Sequence, residues 1–92
     1  MTSRSVTVTN ALGLHARAAA RFVHLASRFA AQVQVGRDGK VMDGKSIMGI
    51  LLLAAARGTA LTISAEGHDE ADAVEALCAL VESGFGEALW NA

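Results

Sequence analysis

The first apolar positions of the chain alternate. Val6 and Val8 stand between Ser5, Thr7 and Thr9, and this period of two with β-branched residues predicts a half-buried strand over residues 3–9. A loop at 10–14 follows, and then the period lengthens. From Ala16 to about Ala31 most residues are strong helix formers. At about 100° per residue, Ala19, Phe22, Val23, Ala26, Phe29 and Ala30 share one face, and Arg17, Arg21, His24 and Arg28 share the opposite one. The first set reads as a core stripe and the second as a basic, solvent-facing stripe.

Two short strands, 32–36 and 40–43, flank Arg37-Asp38-Gly39. The Asp-Gly pair favours a hairpin, because both central positions of a type I′ turn need positive φ. Gly44 and Lys45 lead to Ser46, an N-cap residue for a helix from Ile47 to about Arg57, with Gly58 as its stop. That helix is apolar almost all round. Ile47, Met48, Ile50, Leu51, Leu52 and Leu53 cannot all face one small sheet, so either the helix is deeply buried or part of it is kept for a partner.

Residues 60–66 alternate Leu61, Ile63 and Ala65 with Thr62, Ser64 and Glu66, a fourth strand. Asp69 and Asp72 resemble a capping box for a last helix with Ala71, Val74, Leu77, Cys78 and Val81 on its apolar face. Gly84 ends it, and 85–92 is a tail from which Trp90 covers part of the core. The order is strand, helix, strand, strand, helix, strand, helix. Each strand has one apolar face and each helix an apolar stripe, so a two-layer α+β arrangement follows, with one four-stranded sheet and three helices on one face.

Composition narrows the class. With 92 residues, 52% of them hydrophobic, no proline and a net charge of -1, residues 1–92 are expected to form one folded domain. A lone Cys78 and the lack of a basic-then-apolar leader point to the cytoplasm, and no apolar run approaches the roughly 20 residues of a membrane span. The small net charge hides an asymmetry. Five basic and no acidic residues precede Asp38, whereas seven acidic and no basic residues lie between Glu66 and Glu87. Such a dipole can steer an acidic partner to the N-terminal helix.

Candidate chemistry concentrates in Gly13-Leu14-His15-Ala16-Arg17, at the passage from strand to helix. The first N–H groups of a helix and the positive end of its dipole favour a phosphate there, and Arg17 brings a guanidinium fork suited to phosphoryl oxygens. A positive side chain in the first turn opposes the dipole, a local cost that an expected anion would offset. By itself a histidine at a helix start is more often a surface or capping residue. His15, His24, His68 and Cys78 show no metal-ligand spacing. No acid precedes Asp38 to complete a hydrolytic arrangement around His15. An RNA-binding sheet is disfavoured, because Phe22, Phe29, Phe85 and Trp90 all lie off the strands.

The loop, together with Gly44-Lys45-Ser46-Ile47-Met48-Gly49-Ile50, resembles the HPr family, the histidine-containing phosphocarriers of the phosphoenolpyruvate-dependent phosphotransferase system. The likeness extends over nearly the whole chain and implies an open-faced sandwich with an antiparallel sheet. It further implies that His15 takes a phosphoryl group on Nδ1 from phospho-Enzyme I and passes it to an EIIA protein or domain, with Arg17 and the amides of Ala16 and Arg17 holding the phosphate. No cofactor or metal is implied. Partner contacts are expected at Arg21, His24, Ile47, Met48 and Leu51. Ser46 matches a position that a regulatory serine kinase/phosphorylase can modify. A carrier that shows one small face to several partners is expected to be a monomer. Ala18 stands where the family commonly has proline, which forfeits rigidity but no chemistry and leaves the sugar and nitrogen branches both open. The alternative is a phosphate-independent regulatory adaptor working through the Ser46 helix, a reading that gives His15 and Arg17 no task.

Overall fold

The computed structural model describes residues 1–89, with side chains through Gly86. Strand β1 spans Thr2–Thr7, helix α1 Ala16–Ala26, β2 Gln32–Arg37, β3 Lys40–Asp43, α2 Ile47–Leu52, β4 Ala60–Glu66 and α3 Glu70–Glu82. The strands form one antiparallel sheet in the order β1-β4-β2-β3, and the three helices cover one face of it. Register carries the alternation through the sheet. Val6 pairs with Leu61, and Ile63 lies between Arg4 and Val35, with Val33 beside Ala65. Val6, Leu61, Ile63, Ala65, Val33 and Val35 therefore point at the helices and are buried. Ser3, Thr62 and Gln34 face outward and are exposed, and Ser3 and Ser64 exchange a hydroxyl hydrogen bond of 3.0 Å on the open face.

Phe22 and Val23 of α1, Ile50 of α2 with Leu53 just beyond it, and Val74, Leu77, Cys78 and Val81 of α3 close the core from above. Burying a side chain of this size contributes about 1.5–3 kcal/mol. Cys78 is packing material, and burial pushes its thiol up from the usual range. The last helix presents Ala73 to the core, whereas Ala71, expected there, is exposed.

The largest departures from the sequence reading lie at helix ends. α1 stops at Ala26, not Ala31, because tertiary partners take over the next backbone groups. Asp69 receives the N–H groups of Ala30 and Ala31, both at 2.9 Å, and Lys45 Nζ donates to the Phe29 carbonyl at 2.7 Å. Phe29 is left half-buried and Ala30 exposed. Asp69 is still the N-cap residue of α3, but its carboxylate bridges to this loop and makes no cap bond in its own helix. The expected capping box is thus absent, and it is Glu70 that reaches back to the Gly67 N–H at 3.3 Å.

α2 ends at Leu52, five residues before the expected Arg57. Ala54 turns to a φ of +50°, and Arg37 Nη1 donates to the carbonyls of Leu53 and Ala54 at 2.5 and 2.9 Å, serving as a C-cap from another element. Gly58, the expected stop, instead lets the chain run beside residue 8. Gly58 N–H donates to the Val8 carbonyl and Val8 N–H to that of Thr59, at 2.8 and 2.9 Å. β1 accordingly ends at Thr7, two residues earlier than the alternation suggests. After α3 the chain does not trail off. Residues Gly84–Leu89 form a kinked 3₁₀ segment whose Phe85 is fully buried. Trp90, expected over the core, lies outside the described residues.

Candidate functional site

The loop before α1 is held from both sides. Asn10, buried at 6% exposure, donates its Nδ2 to the Gly13 carbonyl at 2.7 Å, and the Gly13 N–H returns to the Asn10 carbonyl at 3.2 Å. Gly13 sits at a φ of +65°, and a Cβ there would stand 2.5 Å from the Ala55 carbonyl oxygen. Only glycine meets both conditions. Leu14 donates its N–H to the same Ala55 oxygen at 2.9 Å and buries its side chain. The segment after α2 is therefore the wall against which the loop is pressed.

That clamp delivers His15 as the N-cap residue of α1. Its backbone is extended, at φ −75° and ψ 175°, and its side chain makes no capping hydrogen bond. The first helical bond runs from the Ala19 N–H to the His15 carbonyl at 2.9 Å, so the amides of Ala16, Arg17 and Ala18 all precede it. No acid occupies the first turn. His15 is half-buried and Arg17 exposed, so this end of the helix combines backbone donors, a guanidinium and an imidazole at the surface. Ala18 is fully buried beneath them.

The basic stripe lies at the surface: Arg21 and His24 are exposed on α1, and so is Arg28 just past its end. α2 packs beside α1. Ser46 caps it, its Oγ accepting the Gly49 N–H at 3.1 Å, and the helix divides its apolar residues between two environments. Ile50 is buried with Leu53, while Ile47, Met48 and Leu52 are 40, 66 and 58% exposed. Leu51 is half-buried and packs on the core. Leu52 and Leu12, 69% exposed in the loop before His15, are apolar surface that the sequence reading did not single out for partners. A leucine inside an apolar helix or a short loop carries no signal of which way it points.

Among the described residues no group of three or more His, Cys, Asp and Glu side chains could hold a metal ion. None of the described helices is long and apolar enough to cross a membrane. His24 and His68 are exposed.

Comparison with known proteins identifies the family. Residues 2–83 match the family model of the PTS HPr component phosphorylation site. The phosphocarrier protein HPr of Cupriavidus necator is 47% identical over 87 residues, which cover 95% of this chain and 98% of the relative. HPr-C-His from Thermoanaerobacter tengcongensis, a crystal structure, superposes with a TM-score of 0.91 at 47% identity, over 95% of this chain and 98% of that one. An HPr dimer from the same organism superposes at 0.76, also at 47% identity, over 95% of this chain and all of the other. The match runs through strand, loop and helix alike, and the chain belongs to the HPr family of phosphocarrier proteins of the phosphotransferase system.

Proposed function

We propose that His15 is the phosphoryl acceptor of this phosphocarrier and that it is charged by phospho-Enzyme I and discharged to an EIIA protein or domain. The observation that carries the reading is the placement of His15: it is the N-cap residue of α1, half-buried at the start of a helix whose first turn holds no acid. A ring nitrogen with its lone pair attacks phosphorus in line. The N–P bond forms as the bond from phosphorus to the donor atom breaks, and transfer to the acceptor reverses the roles. Family resemblance assigns the attacking atom to Nδ1. The Ala16 and Arg17 amides and the Arg17 guanidinium hold the phosphoryl oxygens, and positioning with electrostatic stabilisation supplies most of the rate. A shallow site suits a carrier, since a phosphate gripped too tightly would not leave.

On this reading the protein is a substrate of phosphotransferases and not itself an enzyme, works as one cytoplasmic domain without cofactor, and meets its partners as a monomer. Docking uses the basic stripe with Arg21 and His24 and the apolar surface of α2 with Ile47 and Met48. We include Leu52, exposed on the same helix, and Leu12, exposed in the loop before His15, and give half-buried Leu51, named from the resemblance, a smaller share. Ser46 is the candidate site for a serine kinase/phosphorylase. Its Oγ already serves as helix cap, and a phosphate there would sit at a helix start while adding negative charge to a basic docking face. The phosphate serves sugar uptake or its regulation, or the nitrogen-related branch.

Intact-mass analysis after incubation with phosphoenolpyruvate and Enzyme I tests the core of the reading. One acid-labile phosphoryl adduct is expected on the wild type and none on His15→Ala. No adduct with Enzyme I from the same source would reject the carrier reading in favour of an adaptor working through α2.

A further inference from the structure

The C-terminal turn touches the basic stripe of α1. At residues 84–86 the backbone passes through three consecutive positive φ values, +69°, +57° and +76°. Two glycines adopt them without steric cost, but the residue between them is Phe85. A bulky side chain persists in that region only where its surroundings over-determine it. Two contacts do so. The ring is completely buried in the core, and the Phe85 carbonyl accepts a hydrogen bond from Nη1 of Arg21 at 3.4 Å. Gly86 lies against the same guanidinium: a Cβ there would stand 3.5 Å from Nη1. Core anchor, strained turn and exposed arginine form one connected unit.

We propose that the 84–86 turn is a positioning element for Arg21, holding one arm of its guanidinium so that the fork is aimed before it meets an acidic protein surface. The inference rests on the reading of the α1 stripe as a docking face. Arginine carries five donors in a rigid plane, so fixing one arm orients the whole group. Freedom lost within the folded chain is not lost again on association, and preorganisation of this kind raises affinity without adding a contact. The turn lies more than 60 residues from Arg21 in sequence, yet on this account it sets the strength of docking.

A double-mutant cycle tests the coupling. Wild type, Gly86→Val, Arg21→Ala and the double variant are compared as substrates of Enzyme I, with thermal unfolding as the control for folding. Gly86→Val is expected to raise KM by about threefold to tenfold, the equivalent of one immobilised long side chain, with kcat unchanged. In the Arg21→Ala background the same change is expected to have no effect. An equal rise in both backgrounds, or none in either, overturns the proposal. If Arg21→Ala leaves KM unchanged while His15 is still phosphorylated, Arg21 has no docking role and the proposal falls with that part of the functional reading. A second measurement does not depend on the variants folding. In the wild type, the Arg21 side-chain N–H groups should be more restricted by nitrogen-15 relaxation than those of Arg28 on the same stripe, and equal mobility overturns the proposal.

Discussion

At the scale of single residues, three positions near the site do different work with similar means. Gly13 is required by space and by φ, His15 stands half-buried as the N-cap residue of α1, and Ser46 is fully accounted for as a cap. Ser46 is the informative one, because capping and regulation make opposite demands on a substitution. Aspartate caps helix starts about as well as serine, so Ser46→Asp should retain stability within about 0.5 kcal/mol. On the proposed function it nevertheless adds a negative charge to the proposed docking face, and phosphorylation of His15 by Enzyme I should slow. Equal transfer rates for the two proteins would remove the regulatory role of Ser46. The cap was legible in the sequence from the residue and its place before an apolar run. The clamp on Gly13 was not, since the Ala55 carbonyl that forbids a side chain lies more than 40 residues away.

Elements show where local sequence stops deciding. Periodicity located four strands and three helices, and their cores hold: Val6, Phe22, Ile63 and Leu77 are buried as their spacing demands. Boundaries fail wherever a distant side chain takes over a backbone group. Arg37 ends α2, and Asp69 captures the two amides that a longer α1 would have used for itself. Nothing in an alanine-rich run announces that its last N–H groups belong to a carboxylate 38 residues on. The Asp69 junction also predicts a pH dependence. The N–H groups of Ala30 and then Ala31 hold its carboxyl below the ordinary 3.8, against the opposing effect of burial, with His68 adding a smaller pull. A depressed folded-state value contributes stability that is complete above 3.8 and is lost as pH falls through the lowered value. Asp69→Asn should therefore melt below the wild type at pH 7 and approach it in strong acid. Glu70, held down to about 2 chiefly by the Thr2 hydroxyl, behaves in the same sense and is present in both proteins. A melting difference that stays constant from pH 7 to pH 2 would mean that the Asp69 charge is not what fastens the loop.

Across the whole molecule the charges sort by element: arginines run along α1, acids gather from the end of β4 through α3, and the net of -1 conceals both. The division was legible from the sequence, but its relation to the apolar surface was not, because only the fold packs α2, with Ile47, Met48 and Leu52 exposed, beside the helix that carries the arginines. A face of this composition separates two parts of association. Long-range attraction acts on the encounter and is screened by salt, whereas apolar burial acts once the surfaces meet and is not. On the proposed function, the phosphoryl step takes place where His15 and its donor meet and is screened by bulk ions less than the encounter is. Raising salt from about 0.05 to 1 M, where the Debye length falls to about 3 Å, should lower kcat/KM for phosphorylation by Enzyme I by about tenfold or more, with the loss in KM and little change in kcat. Replacing Met48 by alanine should weaken docking at both ends of that range, since its contribution is contact and not field. A salt-independent KM would assign recognition to the apolar surface alone and leave the arginines of α1 with the phosphate at Arg17 as their single task.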